Sequence, residues 1–286
     1  MIIKDQALEH SAVLRVAILD LYDGAANEGM RSIRQLIDEM SADFHLPLKY
    51  DIFETRLTGA VPDISYDAFI SSGGPGSPID SEGSYWERRY FSLMDEIQAH
   101  NLHNPDRKKH VLLICHSFQV YCRYYGYGLV SRRKSTSFGV MPMHKTFEGI
   151  HDPLLRSLGD PFWAVDSRDY QITEPNDEKI KARGGAILCI EKYRPTVELE
   201  RAVMAIRFDE AFFGTQFHPE ADAVGMRMYL LREDKKHLVI EKHGEKKYWE
   251  MLDHLNDPDK IMQTNHAVLP RFLMMALQPT LKSVGV

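Results

Sequence analysis

"HVLLICHSFQV", residues 110–120, holds four apolar residues that stop at Cys115 and give way at once to histidine, serine, phenylalanine and glutamine. An apolar run of this length reads as a strand buried on both faces. A cysteine that ends such a strand is either a small core residue or a nucleophile delivered to a turn. The flanking chain decides what kind of sheet the strand belongs to. "LRVAILDLY" (14–22) is a compact run of strand formers that ends at the turn signal Asp23-Gly24. In "ANEGMRSIRQLIDEM", Met30, Ile33, Leu36, Ile37 and Met40 recur at helical spacing. "LKYDIFETR" (48–56) reads as a second strand, and "YDAFISSGGPGSP" (66–78) as a third that runs into a Gly/Pro/Ser loop. "YWERRYFSLMDEIQAH" (85–100) is an amphipathic helix, after which "HVLLICH" supplies the fourth strand. Strands alternating with helices predict βαβ units on a parallel sheet, and such sheets carry their sites where loops leave the carboxyl ends of the strands.

The middle of the chain differs. "STSFGVMPMHKTF" (135–147), "FWAVDSRDYQI" (162–172), "GAILCIEKY" (185–193) and "VMAIRFDEAFFGTQFHPE" (203–220) predict strands joined by turns, partly antiparallel. From Ala223 onward the chain is helical and charged. The expected organisation is one α/β domain over residues 1–222 with a helical C-terminal extension over 223–286. "SRRK" (131–134) reads as a solvated turn. The charged stretch 232–250 reads as one helix with a solvated or partner-facing surface.

Composition narrows the function. The chain has 286 residues, 44% hydrophobic and 27% charged, and a net charge of −6. That charge disfavours non-specific binding to nucleic acid or to a membrane surface. Three cysteines without a CxxC pair argue against a disulfide framework and a structural zinc site. The first 22 residues lack the pattern of a signal peptide, and no stretch approaches the roughly 20 apolar residues of a membrane helix. A cytoplasmic location follows as the expectation. His144 and His151 have no acidic or thiol partner at metal-ligand spacing, so neither a metal nor a cofactor is expected. Cys122 and Cys189 read as core residues.

A cysteine nucleophile needs a base in reach and a group that orients the base. "GTQFHPE" (214–220) offers both. His218 and Glu220 are two apart, so on an extended segment their side chains share a face, and Pro219 between them fixes φ. "SSGGPGSP" (71–78) adds backbone N–H groups that approach a ligand closely and suit a developing oxyanion. A helix that starts just after Cys115 favours its thiolate.

These three segments, in this order and at these separations, resemble the class I (triad) glutamine amidotransferases, the family of the glutaminase parts of GMP synthase, anthranilate synthase and carbamoyl-phosphate synthase. The resemblance covers roughly residues 13–222. It implies a flavodoxin-like, doubly wound, mostly parallel sheet. It implies that Cys115 attacks the carboxamide of glutamine, that His218 passes the proton to the leaving ammonia, and that Glu220 orients His218. Gly74 and His116 would provide oxyanion-hole N–H groups, and Gln119 matches a position that contacts glutamine. With no synthetase module in the chain, ammonia would pass to a separate synthetase subunit, or the substrate would be a γ-glutamyl peptide rather than free glutamine.

The sequence departs from the family at the elbow, which is Gly-x-Cys-x-Gly in the family and Leu113-Ile114-Cys115-His116-Ser117 here. Ser117 is small enough to fit, whereas Leu113 implies a locally adjusted backbone. Two other readings follow. "ICHS" also resembles the PfpI-type hydrolases, in which the adjacent histidine joins the catalytic set; "TQFHPE" is what separates the two. The glycine loop resembles the phosphate loop of ATP pyrophosphatases, but Gly76 stands where that loop has aspartate. A non-enzymatic alternative is a catalytically weakened module that binds a partner through the C-terminal helices. The sequence carries no signal for an oligomeric state.

Overall fold

The structure, a computed structural model, describes residues 13–44, 48–195, 198–257 and 260–283. The signal-peptide reading rests largely on residues 1–12 and lies outside the described residues. The chain runs β1 (Leu14–Leu19), α1 (Gly29–Asp43), β2 (Leu48–Phe53), α2 (Thr55–Thr58), β3 (Ala68–Ser71), α3 (Tyr85–His103), β4 (His110–Ile114) and α4 (His116–Tyr125). Then come β5 (Leu129–Lys145), α5 (Phe147–His151), β6 (Phe162–Thr173), α6 (Asp177–Ala182), β7 (Ala186–Glu191), β8 (Val203–Arg207) and β9 (Phe212–Thr215). Five helices follow: α7 (Ala223–Leu231), α8 (Glu233–His243), α9 (Glu245–His254), α10 (Met262–Asn265) and α11 (Val268–Ser283).

Among the described residues, nine strands form one sheet in the order β2-β1-β3-β4-β9-β8-β7-β5-β6. The first five in that order pair in parallel, and the rest pair antiparallel. The expected doubly wound sheet with an antiparallel flank is therefore the fold. Its parallel strands are continuous apolar runs because both faces are covered. In β1, Leu14, Val16 and Ile18 point into a core shared with α1 and α11, while Ala17 and Leu19 point into one shared with α3 and α4. A third core joins Val140 and Val165 of the antiparallel flank to Leu230, Val239, Tyr248 and Met251 of α7–α9.

Two expectations are corrected here. Residues 131–134 are not a turn but part of β5. The guanidinium of Arg133 is buried there because Glu191 and Gln171 accept its hydrogen bonds, at 2.9 and 2.7 Å. Stretch 232–250 is not one solvated helix. Gly244, at φ +85°, separates α8 from α9, and Val239, Tyr248 and Met251 on their inner faces are buried against the sheet.

Candidate active site

Cys115 lies between β4 and α4 with φ 49° and ψ −97°, a conformation that non-glycine residues rarely adopt. Both sides of it are pinned. Its N–H donates to the Thr215 carbonyl at 2.7 Å, and its carbonyl accepts from the Gln119 N–H at 3.0 Å. Ser117 adds a third tie: its buried hydroxyl accepts from the Ile114 N–H at 2.8 Å and donates to the Ser71 carbonyl at 2.9 Å. Leu113 does not disturb the backbone, contrary to the expectation from its bulk. Both ladders run in register through it, to Ser71 on one side and Gly214 on the other. It fills the core beneath α4, and Gly214 leaves the room that Phe118 occupies. A Cβ on Gly214 would lie 2.4 Å from the Phe118 ring.

The chain brings His218 and Glu220 to this cysteine from the end of β9. The His218 N–H donates to the Val165 carbonyl at 2.8 Å, which fixes the segment on β6. Nδ1 of His218 lies 2.9 Å from Oε1 of Glu220, and Cys115 acts on the same ring electrostatically. Burial alone would lower the His218 pKa. Glu220 and Cys115 outweigh it and raise the pKa well above the ordinary histidine value. Oε2 of Glu220 is buried without a hydrogen-bond partner, while its Oε1 faces His218.

The glycine loop packs against the same histidine. A Cβ on Gly73 would sit 2.9 Å from Cε1 of His218, and one on Gly74 would sit 2.3 Å from the Leu21 carbonyl oxygen. Only glycine allows both approaches. Ser72 anchors the loop by accepting from the Leu21 N–H at 2.9 Å, and Arg56 donates to the Pro75 carbonyl at 2.5 Å.

His116 lies apart from this pairing. It is buried, its Nε2 is 3.5 Å from Nη1 of Arg56, and its pKa falls to about 3 through burial and then the charges of Arg56 and Arg123. A neutral ring facing a guanidinium does not take up a proton at ordinary pH. What this residue offers the site is the backbone at the start of α4. Gln119 is buried and donates to Gln216 Oε1 at 2.9 Å and to the Tyr170 carbonyl at 3.2 Å. Gln216 in turn donates to the sulfur of Cys115 at 3.5 Å.

Cys115, Gly74, His116, Gln119, His218 and Glu220 all line one cavity of about 680 Å³. Cys122 and Cys189 are fully buried elsewhere, and burial pushes both thiols well above the ordinary value. Among the described residues, no group of three or more His, Cys, Asp or Glu is placed to hold a metal ion, and no helix is long and apolar enough to cross a membrane.

Several residues at the site escaped the sequence reading. Gln216 stood inside a quoted motif, but strand alternation does not say that its amide reaches a cysteine. Ser167, whose carbonyl lies 3.7 Å from the sulfur, comes from β6 and is carried by no motif. Tyr22 lines the cavity at the end of β1, and burial, then Glu220 and Cys115, raise its hydroxyl well above the ordinary tyrosine value. Asn265 of α10 donates to the Glu220 carbonyl at 2.9 Å, and Thr264 beside it donates to the Trp163 carbonyl at 2.6 Å. The C-terminal helices thus reach the back of the site. Nothing in the sequence of "MQTN" signals it.

Comparison with known proteins identifies the fold and the family. Solved structures with the same fold include a glutamine amidotransferase from Thermotoga maritima, 14% identical with TM-score 0.62, covering 96% of this chain and 99% of that one. Another is a glutamine amido transferase from Methylobacillus flagellatus, 14% identical with TM-score 0.63, covering 93% of this chain and 95% of that one. A third is the glutaminase domain of Trypanosoma brucei CTPS with bound acivicin, 12% identical with TM-score 0.55, covering 93% and 94%. At these identities the likeness is one of fold. No curated protein matches the chain in sequence. A model of the glutamine amidotransferase class-I family matches residues 28–237, a span that holds the elbow, the glycine loop and the His-Pro-Glu segment, and the chain therefore belongs to that family.

Proposed function

We propose that the protein is a cysteine-dependent amidotransferase-type hydrolase that cleaves the side-chain amide of glutamine. The observation that carries this reading is Cys115 on a strained elbow, with His218 and Glu220 lining the same cavity of about 680 Å³. The Cys115 thiolate attacks the side-chain carbonyl carbon of the substrate, and the carbonyl electron pair moves onto oxygen. Backbone N–H groups of His116 and Gly74 hold that oxyanion; a single such donor is worth about 3–4 kcal/mol in related chemistry. Collapse breaks the C–N bond, and the proton on Nε2 of His218 goes to the departing nitrogen, which leaves as ammonia. Glu220 keeps Nδ1 occupied so that Nε2 is the nitrogen facing the thiol. Water then gives a proton back to His218, its oxygen adds to the thioester, and the C–S bond breaks to release glutamate. The buried Gln119–Gln216 pair fixes the wall next to the sulfur, and Gln119 contacts the glutamyl group.

The ammonia acceptor in this reading is a separate synthetase subunit. A second reading, hydrolysis of a γ-glutamyl peptide, is favoured by the extent of the cavity, which continues past the thiol to α7 and α8. The test is ammonia release from glutamine by the purified chain and by Cys115→Ala, with mass spectrometry of Cys115 after exposure to a glutamine-analogue electrophile. Release and labelling that both vanish in the variant support the proposal. A wild-type chain that neither releases ammonia nor becomes labelled at Cys115 would refute glutamine as the substrate.

A further inference from the structure

Loss of ammonia needs room for one small molecule beside the thiol, yet the cavity extends well beyond that point. The direction in which it extends is informative. A leaving amine must collect its proton from His218, so it lies on the His218 side of the sulfur. From His218 the chain passes through Glu220 to Asp222, which caps α7 by accepting from the Gly225 N–H at 2.6 Å. On the facing strand, Phe138 pairs with Ser167, the residue whose carbonyl touches the Cys115 sulfur. The Phe138 and Tyr229 rings pack with centroids 5.5 Å apart, and Met226 lines the same lobe. The space into which a leaving group departs is therefore walled by aromatic rings and a thioether.

The rim of this lobe is cationic. Lys235 Nζ lies 5.3 Å from the Tyr229 ring centroid, and Arg232 lines the cavity next to it. The two cations share the single carboxylate of Asp234, at 3.0 and 3.8 Å, while Asp169, which also lines the cavity, accepts from the Thr136 hydroxyl. Two other acids that line the cavity, Asp222 and Glu28, are both held by Arg31 at 2.6 Å.

We propose that this lobe is a subsite for the amine half of a γ-glutamyl amide, and that the amine it takes has an aromatic or apolar body and a carboxylate. The substrate class is thus a γ-glutamyl derivative of an aromatic amino acid. The inference rests on the hydrolase reading and deepens it. The bonds exchanged are those already described: the sulfur–carbon bond forms, the carbon–nitrogen bond breaks, and the proton of His218 leaves with the free amino acid. The ring of the departing residue packs against Phe138 and Tyr229, and its carboxylate meets Lys235 and Arg232.

The test compares kcat/KM for γ-glutamylphenylalanine, γ-glutamylphenethylamine, γ-glutamylglycine and glutamine on the full chain. The aromatic dipeptide is expected to exceed γ-glutamylglycine and glutamine by about ten-fold or more, the scale on which a filled apolar pocket discriminates. The phenethylamine derivative, without its carboxylate, is expected to fall several-fold below the dipeptide. Lys235→Glu is expected to abolish that last difference, and Tyr229→Ala to shrink the ratio of aromatic to glycine substrate, with circular dichroism confirming that both variants fold. If γ-glutamylglycine matches the aromatic dipeptide, the subsite is refuted. If glutamine is hydrolysed and the aromatic dipeptide is not, the subsite fails while the hydrolase reading stands. If no γ-glutamyl compound acylates Cys115, both fail.

Discussion

Replacing Ser117 with glycine restores the second glycine of the family's elbow, and it is expected to damage this protein. The hydroxyl of Ser117 accepts from the buried Ile114 N–H and donates to the Ser71 carbonyl, so it ties the end of β4 to β3 just before the strained Cys115. Removing it leaves the Ile114 N–H unpaired away from water, at a cost of about 1–3 kcal/mol. Glycine adds roughly 0.5–1 kcal/mol of backbone entropy in the first turn of α4. The expected loss is about 2–4 kcal/mol, a large share of the roughly 5–15 kcal/mol that holds a folded protein together. At roughly 2–4 °C per kcal/mol for a chain of this size class, the melting temperature drops by about 5–15 °C. Ser117→Ala separates the two contributions, since it loses the hydroxyl but keeps the side-chain carbon, and it is expected to account for most of the loss. Activity is expected to fall with stability, because holding Cys115 at a positive φ takes about 1–3 kcal/mol of support from its surroundings. The measurements are urea unfolding monitored by circular dichroism, and kcat/KM with the best substrate from the panel above. A Ser117→Gly protein as stable and as active as the parent would show that the hydroxyl is incidental, and this account of the elbow would be wrong.

Other outcomes follow from the same geometry. Glu220 raises the His218 pKa against the effect of burial, so stability from the imidazolium–carboxylate pair is full below the ordinary histidine range and fades as pH rises through the raised value. Glu220→Gln is therefore expected to move the alkaline limb of the kcat/KM–pH profile to lower pH; an unmoved limb argues against Glu220 as the source. Asn265→Ala removes the donor to the buried Glu220 carbonyl. It should cost about 1–3 kcal/mol in urea unfolding and lower kcat more than it raises KM, and a purely structural role would leave kcat untouched. A thiol reagent applied to the native chain is expected to modify Cys115 alone, since Cys115 lines the open cavity while Cys122 and Cys189 are wholly buried with raised thiol pKa values. Two or three modified cysteines by intact mass under native conditions would contradict this.

What the sequence determined by itself is local or periodic in origin. Alternating apolar strands and amphipathic helices specify a doubly wound sheet, because a strand that is apolar on both faces needs a helix layer on each. His218 and Glu220 share a face because side chains repeat every second residue along an extended segment. The glycines of residues 73–76 mark a loop that something approaches closely, although that the approaching groups are Leu21 and His218 is legible only in the folded chain. What tertiary structure decided is everything that depends on strand order. β9 lies beside β4 although about a hundred residues separate them, and that pairing, with the bridge from His218 to Val165 of β6, brings His218, Glu220 and Gln216 to Cys115. Leu113 reads as an obstacle in one dimension and fits in three, filling the core beneath α4 while Gly214 opposite it makes room for Phe118. "SRRK" is polar enough to read as a turn, yet Glu191 on another strand neutralises Arg133 and lets β5 continue through it. The support that α10 gives Glu220 and the aromatic lobe at α7 come from elements distant in sequence, joined by single buried side chains that leave no periodic trace.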